Sequence, residues 1–170
     1  FMGDGMLHGI QLENGRALSY RNRWVQTAAL QGNGGMTANR ANTSLINHHG
    51  RSLALYEVSV PHEFNVADLT TVGEYDFGGS LTGPVTAHPK VDPVTGELFL
   101  IGYSPMGDYL TYSVVSQDGT LLKSQAIDIP NPVMMHDFQI TENYAVFMDL
   151  PIVFDLAQLE SGFPFSWKPE

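Results

Sequence analysis

Apolar and polar residues alternate along most of this chain with a period of two, the pattern of half-buried strands rather than helices. Residues 6–12 read as a short strand. Asn14-Gly15 follows as a two-residue hairpin turn, and residues 17–26 return as a second strand with Leu18, Tyr20 and Trp24 on one face. Gln31-Gly32-Asn33-Gly34-Gly35 reads as a flexible loop. Strands are predicted at 43–47 and 53–58 around His49-Gly50, and at 98–103 after the turn Asp92-Pro93-Val94-Thr95-Gly96. Further strands are predicted at 109–115 and 121–127 around Asp118-Gly119, and at 135–140 and 144–150 around Thr141-Glu142-Asn143.

No segment carries a helical stripe. Residues 66–71 and 157–161 are each expected to form one helical turn, and 163–170 to form an irregular loop. Strands this short and this regularly spaced predict an all-β sandwich, barrel or set of propeller blades. There is no clean internal repeat, which propeller blades do not require. Composition agrees. With 170 residues, 43% hydrophobic and 15% charged, the chain suits one packed domain, and its 17 Gly and 10 Pro supply turns. The chain opens at Phe1-Met2-Gly3-Asp4-Gly5, inside a motif, and stops without a visible end, so a longer chain is expected.

Charge and cysteine content exclude several chemistries. The net charge is −10, with 8 Lys and Arg in total, so a nucleic-acid groove is not expected. Arg16, Arg21, Arg23, Arg40 and Arg51 read as local pairing and surface charge. With 0 Cys, thiolate metal sites and disulfides are ruled out. Any metal must therefore be held by His and carboxylates. No apolar run reaches the ~18 residues of a spanning helix, and no leader peptide is visible. The expected location is the cytoplasm, with peripheral membrane contact.

The histidines are the main candidates for chemistry. His88 sits in Thr86-Ala87-His88-Pro89-Lys90 and His136 in Met134-Met135-His136-Asp137-Phe138. Read from residues alone, either is more commonly a core or surface histidine than a ligand, and no local signature such as H-E-x-x-H is present. Each stands at or near the start of a predicted strand. Pro89 locks the backbone after one, and Asp137 is placed to bond a nearby backbone N–H after the other. His48 and His49 are expected to be partly solvated around a turn, His62 to lie in a loop after Pro61, and His8 to be buried and hydrogen-bonded. No G-x-S-x-G elbow or phosphate loop occurs. Asp4, Glu57, Glu74, Asp76 and Asp149 offer no spacing that singles out a catalytic pair.

Thr86-Ala87-His88-Pro89-Lys90-Val91-Asp92-Pro93-Val94-Thr95-Gly96-Glu97-Leu98 resembles the first iron-ligand region of the carotenoid cleavage oxygenases. Met134 to Phe138, with Ile140-Thr141-Glu142-Asn143-Tyr144 and Asp149-Leu150-Pro151, resembles the second. Gly3 to His8 and Tyr20 to Val25 resemble the N-terminal strands of that family. The resemblance implies a seven-bladed β-propeller with ferrous iron, Fe(2+), on its axis, held by four histidines backed by glutamates. It implies an enzyme that binds O2 and splits an alkene into two carbonyl products.

Carried over residue by residue, His88 and His136 match the first two iron ligands. Glu57 matches the first of the glutamates behind them and is expected to orient His136. The third and fourth ligands would lie beyond residue 170. Residues 1–170 would then form one partial domain of about two to three blades, the N-terminal portion of the propeller, with the remaining blades outside this chain. Neutral imidazole suits iron, and a carboxylate on the other ring N–H fixes the tautomer.

The stilbene-cleaving members of the family bind their substrate's phenol with a Tyr and a Lys. The matching positions here are Trp24 and Tyr56, which favours a lipophilic carotenoid or apocarotenoid substrate. Two alternatives stand beside this: a lignostilbene-type dioxygenase, and a catalytically inactive propeller fragment that only binds. Further histidines in matching contexts beyond Glu170 would favour the enzyme.

Overall fold

The structure is a computed structural model that describes residues 3–34, 38–105, 107–161 and 164–169. Two of its hairpins start from backbone that few side chains tolerate. Strands β1 (Met6–Glu13) and β2 (Arg16–Trp24) join at Asn14 and Gly15, with φ of 47° and 75°. Strands β3 (Ser44–His48) and β4 (Arg51–Leu55) join at His49 and Gly50, with φ of 49° and 72°. Paired left-handed residues give the turn twist that matches two antiparallel strands.

Two four-stranded antiparallel meanders follow. The first runs β3-β4-β5-β6, adding β5 (His62–Phe64) and β6 (Thr71–Glu74). The second runs β10-β9-β8-β7, from β7 (Lys90–Val91), β8 (Leu98–Tyr103), β9 (Leu110–Val115) and β10 (Leu121–Ile127). Two short pairs complete the order: β11 (Gln139–Ile140) with β12 (Ala145–Val146), and β13 (Ile152–Phe154) with β14 (Phe165–Trp167). A 3-10 helix spans Leu156–Ser161. No helix among the described residues is long and apolar enough to cross a membrane.

The strand period of two decides how the sheets stack. On β8, Leu98 and Leu100 point one way into a cluster with Phe77, Leu81, Val85 and Val115. Ile101 and Tyr103 point the other way into a cluster with Leu110, Val133, Met135, Phe138 and Val153. The middle strand of the second meander is thus buried on both faces. β4 behaves alike: Ala54 joins Leu7, Val25, Phe64 and Leu69, while Leu53 and Leu55 pack on Ala87. Strands sandwiched on both sides belong to sheets stacked face to face, as blades are.

Several expectations are corrected. Residues 135–140 and 144–150 were predicted as full strands, but only Gln139–Ile140 and Ala145–Val146 pair. The backbone upstream is used otherwise: Met134 N–H donates to Ile152 O, and His136 N–H to Met134 O. Residues 164–169 are not wholly irregular, since β14 pairs with β13. Part of the expected loop at 31–35 is turn structure, and Gly35, like Phe163 and Glu170, lies outside the described residues. His62 is not in a loop. It lies in β5, is 3% exposed, and its Nδ1 has no partner among the described residues.

Segment 84–87 threads tightly against β8. Thr86 N–H donates to Ile101 O, and a Cβ on Gly102 would lie 1.8 Å from Pro84 O. We therefore expect Gly102→Ala to cost about 3 kcal/mol or more, because backbone must move. Gly83→Ala, whose added Cβ meets nothing within 4 Å, should stay near wild type in urea denaturation.

His62 yields a pH dependence. Burial lowers its pKa below the ordinary 6.5, against the opposing pull of Glu74. The unfolded chain then binds more protons than the fold just below that value, so the His62 contribution is complete above about pH 6.5 and lost as pH falls. Denaturation midpoints measured from about pH 5 to pH 8 should show a shallower acid-side loss for His62→Gln than for wild type.

Candidate metal centre

Antiparallel connection brings four chain positions to one end of the stacked sheets. The end of β4, the start of β7 and the end of β8 lie there, and the segment entering β11 joins them. Glu57 follows β4, His88 precedes β7, Tyr103 closes β8 and His136 precedes β11. Ser44, at the start of β3, donates its hydroxyl to the carbonyl of Ala87, which ties the first meander to the segment holding His88.

At this end the two histidine rings meet edge to face, with centroids 4.4 Å apart. Donor atoms of Glu57, His88 and His136 all lie within 4.8 Å of one another. His136 Nδ1 contacts Glu57 Oε1 at 2.9 Å. An ionised carboxylate only accepts, so Nδ1 carries the proton and Nε2 keeps its lone pair. Glu57 is 4% exposed while the His136 side chain is 49% exposed. The carboxylate is thus the buried back of the site, and the His136 ring is its open front.

Glu57 is held by more than histidine. Tyr103 donates its phenol O–H to the same Oε1 at 3.0 Å. Burial pushes the Glu57 carboxyl above its ordinary value, while His136, Tyr103 and the nearby His88 pull it down. Burial, then the Glu57 charge, push the Tyr103 phenol far above its ordinary value, so it remains a neutral donor.

A second contact links the two histidine segments from outside. Lys90 Nζ lies 2.7 Å from Asp137 Oδ1, and the same oxygen accepts the Phe138 N–H at 2.8 Å. Burial alone would raise the Asp137 carboxyl, but the Lys90 and Phe138 bonds outweigh it and hold it below its ordinary value. Lys90 Nζ also stands 5.6 Å from the Phe138 ring centroid.

The donor set fits a divalent cation that accepts imidazole. His88 Nε2 and Glu57 Oε2 are both buried without a hydrogen-bond partner among the described residues. A buried polar atom left unpaired costs about 1–3 kcal/mol. A cation bound by His88 would remove the first of these costs, and two neutral imidazoles suit iron among other transition metals.

Other expected residues fall elsewhere. Trp24 ends β2 half-exposed, and Tyr56 is buried between β4 and Glu57. His8 was expected to be buried; it is exposed on β1, with Nδ1 2.6 Å from the Tyr20 hydroxyl. His48 was expected to be partly solvated; it is buried, with Nε2 2.9 Å from Gly96 O. Of the five arginines, Arg40 pairs with Asp4 and Arg51 with Glu63 across the fold, while Arg21 and Arg23 bond the carbonyls of Ala67 and Asp68. A cavity of about 850 Å³ opens at the opposite turns, lined by His48, His49, Gly96 and Asp118 among others, and contains none of the three donors. Tyr103 and the Lys90–Asp137 pair went unnoticed as site residues, because a strand-end Tyr and a surface Lys carry no distinguishing local pattern.

Comparison with known proteins bears on this arrangement. The family model described as retinal pigment epithelial membrane protein matches residues 1–170. A carotenoid 9,10(9',10')-cleavage dioxygenase 1 of Arabidopsis thaliana is 40% identical, covering 99% of this chain and 39% of the relative. A lignostilbene dioxygenase of Pseudomonas brassicacearum superposes with a TM-score of 0.85 at 36% identity, covering 99% of this chain and 40% of that one. A cobalt-substituted apocarotenoid oxygenase of Synechocystis superposes with a TM-score of 0.81 at 25% identity, over 99% of this chain and 43% of that one. This chain therefore spans about two fifths of the length of these relatives. Similar in sequence from end to end and folded as their propellers are, it belongs to the carotenoid cleavage oxygenase family.

Proposed function

We propose that this chain supplies half of an iron site in an oxygenase that cleaves a carotenoid or apocarotenoid double bond with O2. The observation that carries the reading is the pair of imidazoles, 4.4 Å apart, one fixed by a buried carboxylate and the other ending in a buried, unpartnered Nε2. His88 and His136 would hold Fe(2+), with further ligands from outside residues 1–170. Ferrous iron, when bound, supplies the redox activity that brings O2 to an alkene. The overall change balances as one alkene plus one O2 giving two carbonyl compounds.

The chain's own residues do the arranging. Glu57 accepts a hydrogen bond from the Nδ1–H of His136, which turns the Nε2 lone pair away from the carboxylate. Its negative charge offsets a buried cation in a low-dielectric surrounding. Pro89 and the Lys90–Asp137 pair hold the backbone on either side of the two rings. Trp24, half-exposed at the end of β2, would offer aromatic surface to a lipophilic polyene, whereas Tyr56, just before Glu57 in the chain, is buried. The same proposal places the enzyme in the cytoplasm, drawing substrate from a membrane surface it touches without crossing.

A second substrate reading has its own support. The lignostilbene dioxygenase superposes with a TM-score of 0.85, so a stilbene stands as the alternative alkene. Product analysis with one carotenoid, one apocarotenal and one stilbene separates the two. Cleavage of the stilbene alone would reverse our preference.

Two outcomes are expected in the full-length protein that carries this sequence. His88→Ala should lose most of its iron by metal analysis and essentially all alkene cleavage; full iron and full activity would refute the ligand assignment. Glu57→Gln keeps the side-chain volume but loses the charge. Its metal affinity should fall by roughly 10-fold or more in a chelator competition.

A further inference from the structure

We propose that Tyr103 is a positioning residue for the metal site, its phenol holding the Glu57 carboxylate where it grips the His136 ring. The inference rests on reading His88 and His136 as metal ligands.

Glu57 needs such a post. It lies just past the end of β4, outside the strand ladder, on a side chain with three rotatable bonds. A freely rotating carboxylate loses rotamer entropy when it is fixed, and a single contact is a weak restraint. The structure shows two contacts on one oxygen: Oε1 receives His136 Nδ1 at 2.9 Å and the Tyr103 O–H at 3.0 Å. The other oxygen, Oε2, is buried without a partner among the described residues. Oε1 alone therefore sets the direction of the carboxylate.

Tyr103 has the rigidity the role requires. It has only two side-chain torsions and is 6% exposed. It stacks on Tyr109 with centroids 6.1 Å apart. It belongs to the same apolar cluster as Met135 and Phe138, the residues that bracket His136. One packed unit thus holds both the phenol and the backbone of the histidine. A neutral O–H donating to a buried carboxylate is also a charge-assisted bond, stronger than a neutral one.

Tyr109 provides an internal control. It stacks on Tyr103, but its own hydroxyl donates to Val133 O at 2.9 Å and not to Glu57. Tyr103→Phe and Tyr109→Phe each remove one hydroxyl from the same cluster, a buried one at Tyr103 and a partly buried one at Tyr109, and only the first touches Glu57.

The test uses the full-length protein, titrated with Co(2+) in competition with a chelator, with the visible ligand-field spectrum and the urea midpoint recorded alongside. Tyr103→Phe should weaken cobalt binding about tenfold and shift the spectrum. Tyr109→Phe should leave both unchanged even where it lowers the midpoint. Tyr103→Phe combined with Glu57→Gln should bind no more weakly than Glu57→Gln alone, because both act through one carboxylate. Wild-type affinity and spectrum in Tyr103→Phe would overturn the proposal, as would an equal loss in Tyr109→Phe. Undiminished cobalt binding in His88→Ala and His136→Ala would instead show that the ligand assignment itself is wrong, and Tyr103's role would fall with it.

Discussion

A carboxylate almost stripped of water, that of Glu57, stands where three chain segments converge. Taking a charge out of water is costly unless the surroundings repay it. Here repayment comes from two donors on one oxygen, the His136 ring and the Tyr103 phenol. Each donor comes from a different element, so Oε1 is satisfied only when the first meander, the second meander and the segment before β11 are all in place. Apolar packing puts those elements face to face, and the buried charge then demands a particular register between them.

That register depends on β8. Its alternate residues feed two separate apolar clusters, so the strand has no solvent face. Gly102 lets the 84–87 segment approach the strand, and Thr86 N–H closes the contact on Ile101 O. His88 therefore inherits its position from a backbone contact two residues earlier, and His136 inherits its own from the buried flanks Met135 and Phe138. Packing and main-chain bonding thus place both histidine backbones, and the Glu57 carboxylate orients the His136 ring. The partly exposed Lys90–Asp137 pair adds a link of modest worth.

How much was legible in the sequence follows from how far each signal reaches. β8 and β10 match their predicted bounds because long alternating runs are local signals. Asn14-Gly15 and His49-Gly50 were readable as turns because few residue pairs accept two positive φ values. β5, β7, β13 and β14 are too short for a period to show. Pro61 suggested a loop around His62, yet the Pro61 carbonyl accepts the Tyr75 N–H and the strand begins one residue later. Within the predicted strand 135–140, Met135 and Phe138 fill the core without a ladder, and only Gln139–Ile140 pair. For the site, His88, His136 and Glu57 were singled out by resemblance to a family, since their residues alone predict neither proximity nor chemistry. Tyr103 was invisible because its partner lies 46 positions away.

Those separations carry a consequence for the order of events in folding. The Glu57–His136 bond joins residues 79 positions apart, and the Lys90–Asp137 pair joins residues 47 apart. Closing such long loops costs chain entropy that must be met before the contact returns anything. Hairpins such as β1–β2 and β3–β4, which close over two residues, carry far less of that cost. The same entropy opposes early pairing of the two imidazoles, which stand 48 positions apart in sequence. On the proposed reading of His88 and His136 as ligands, a metal would meet both rings only once the sheets around them are in place, where geometry rather than raw affinity would decide which ion stays.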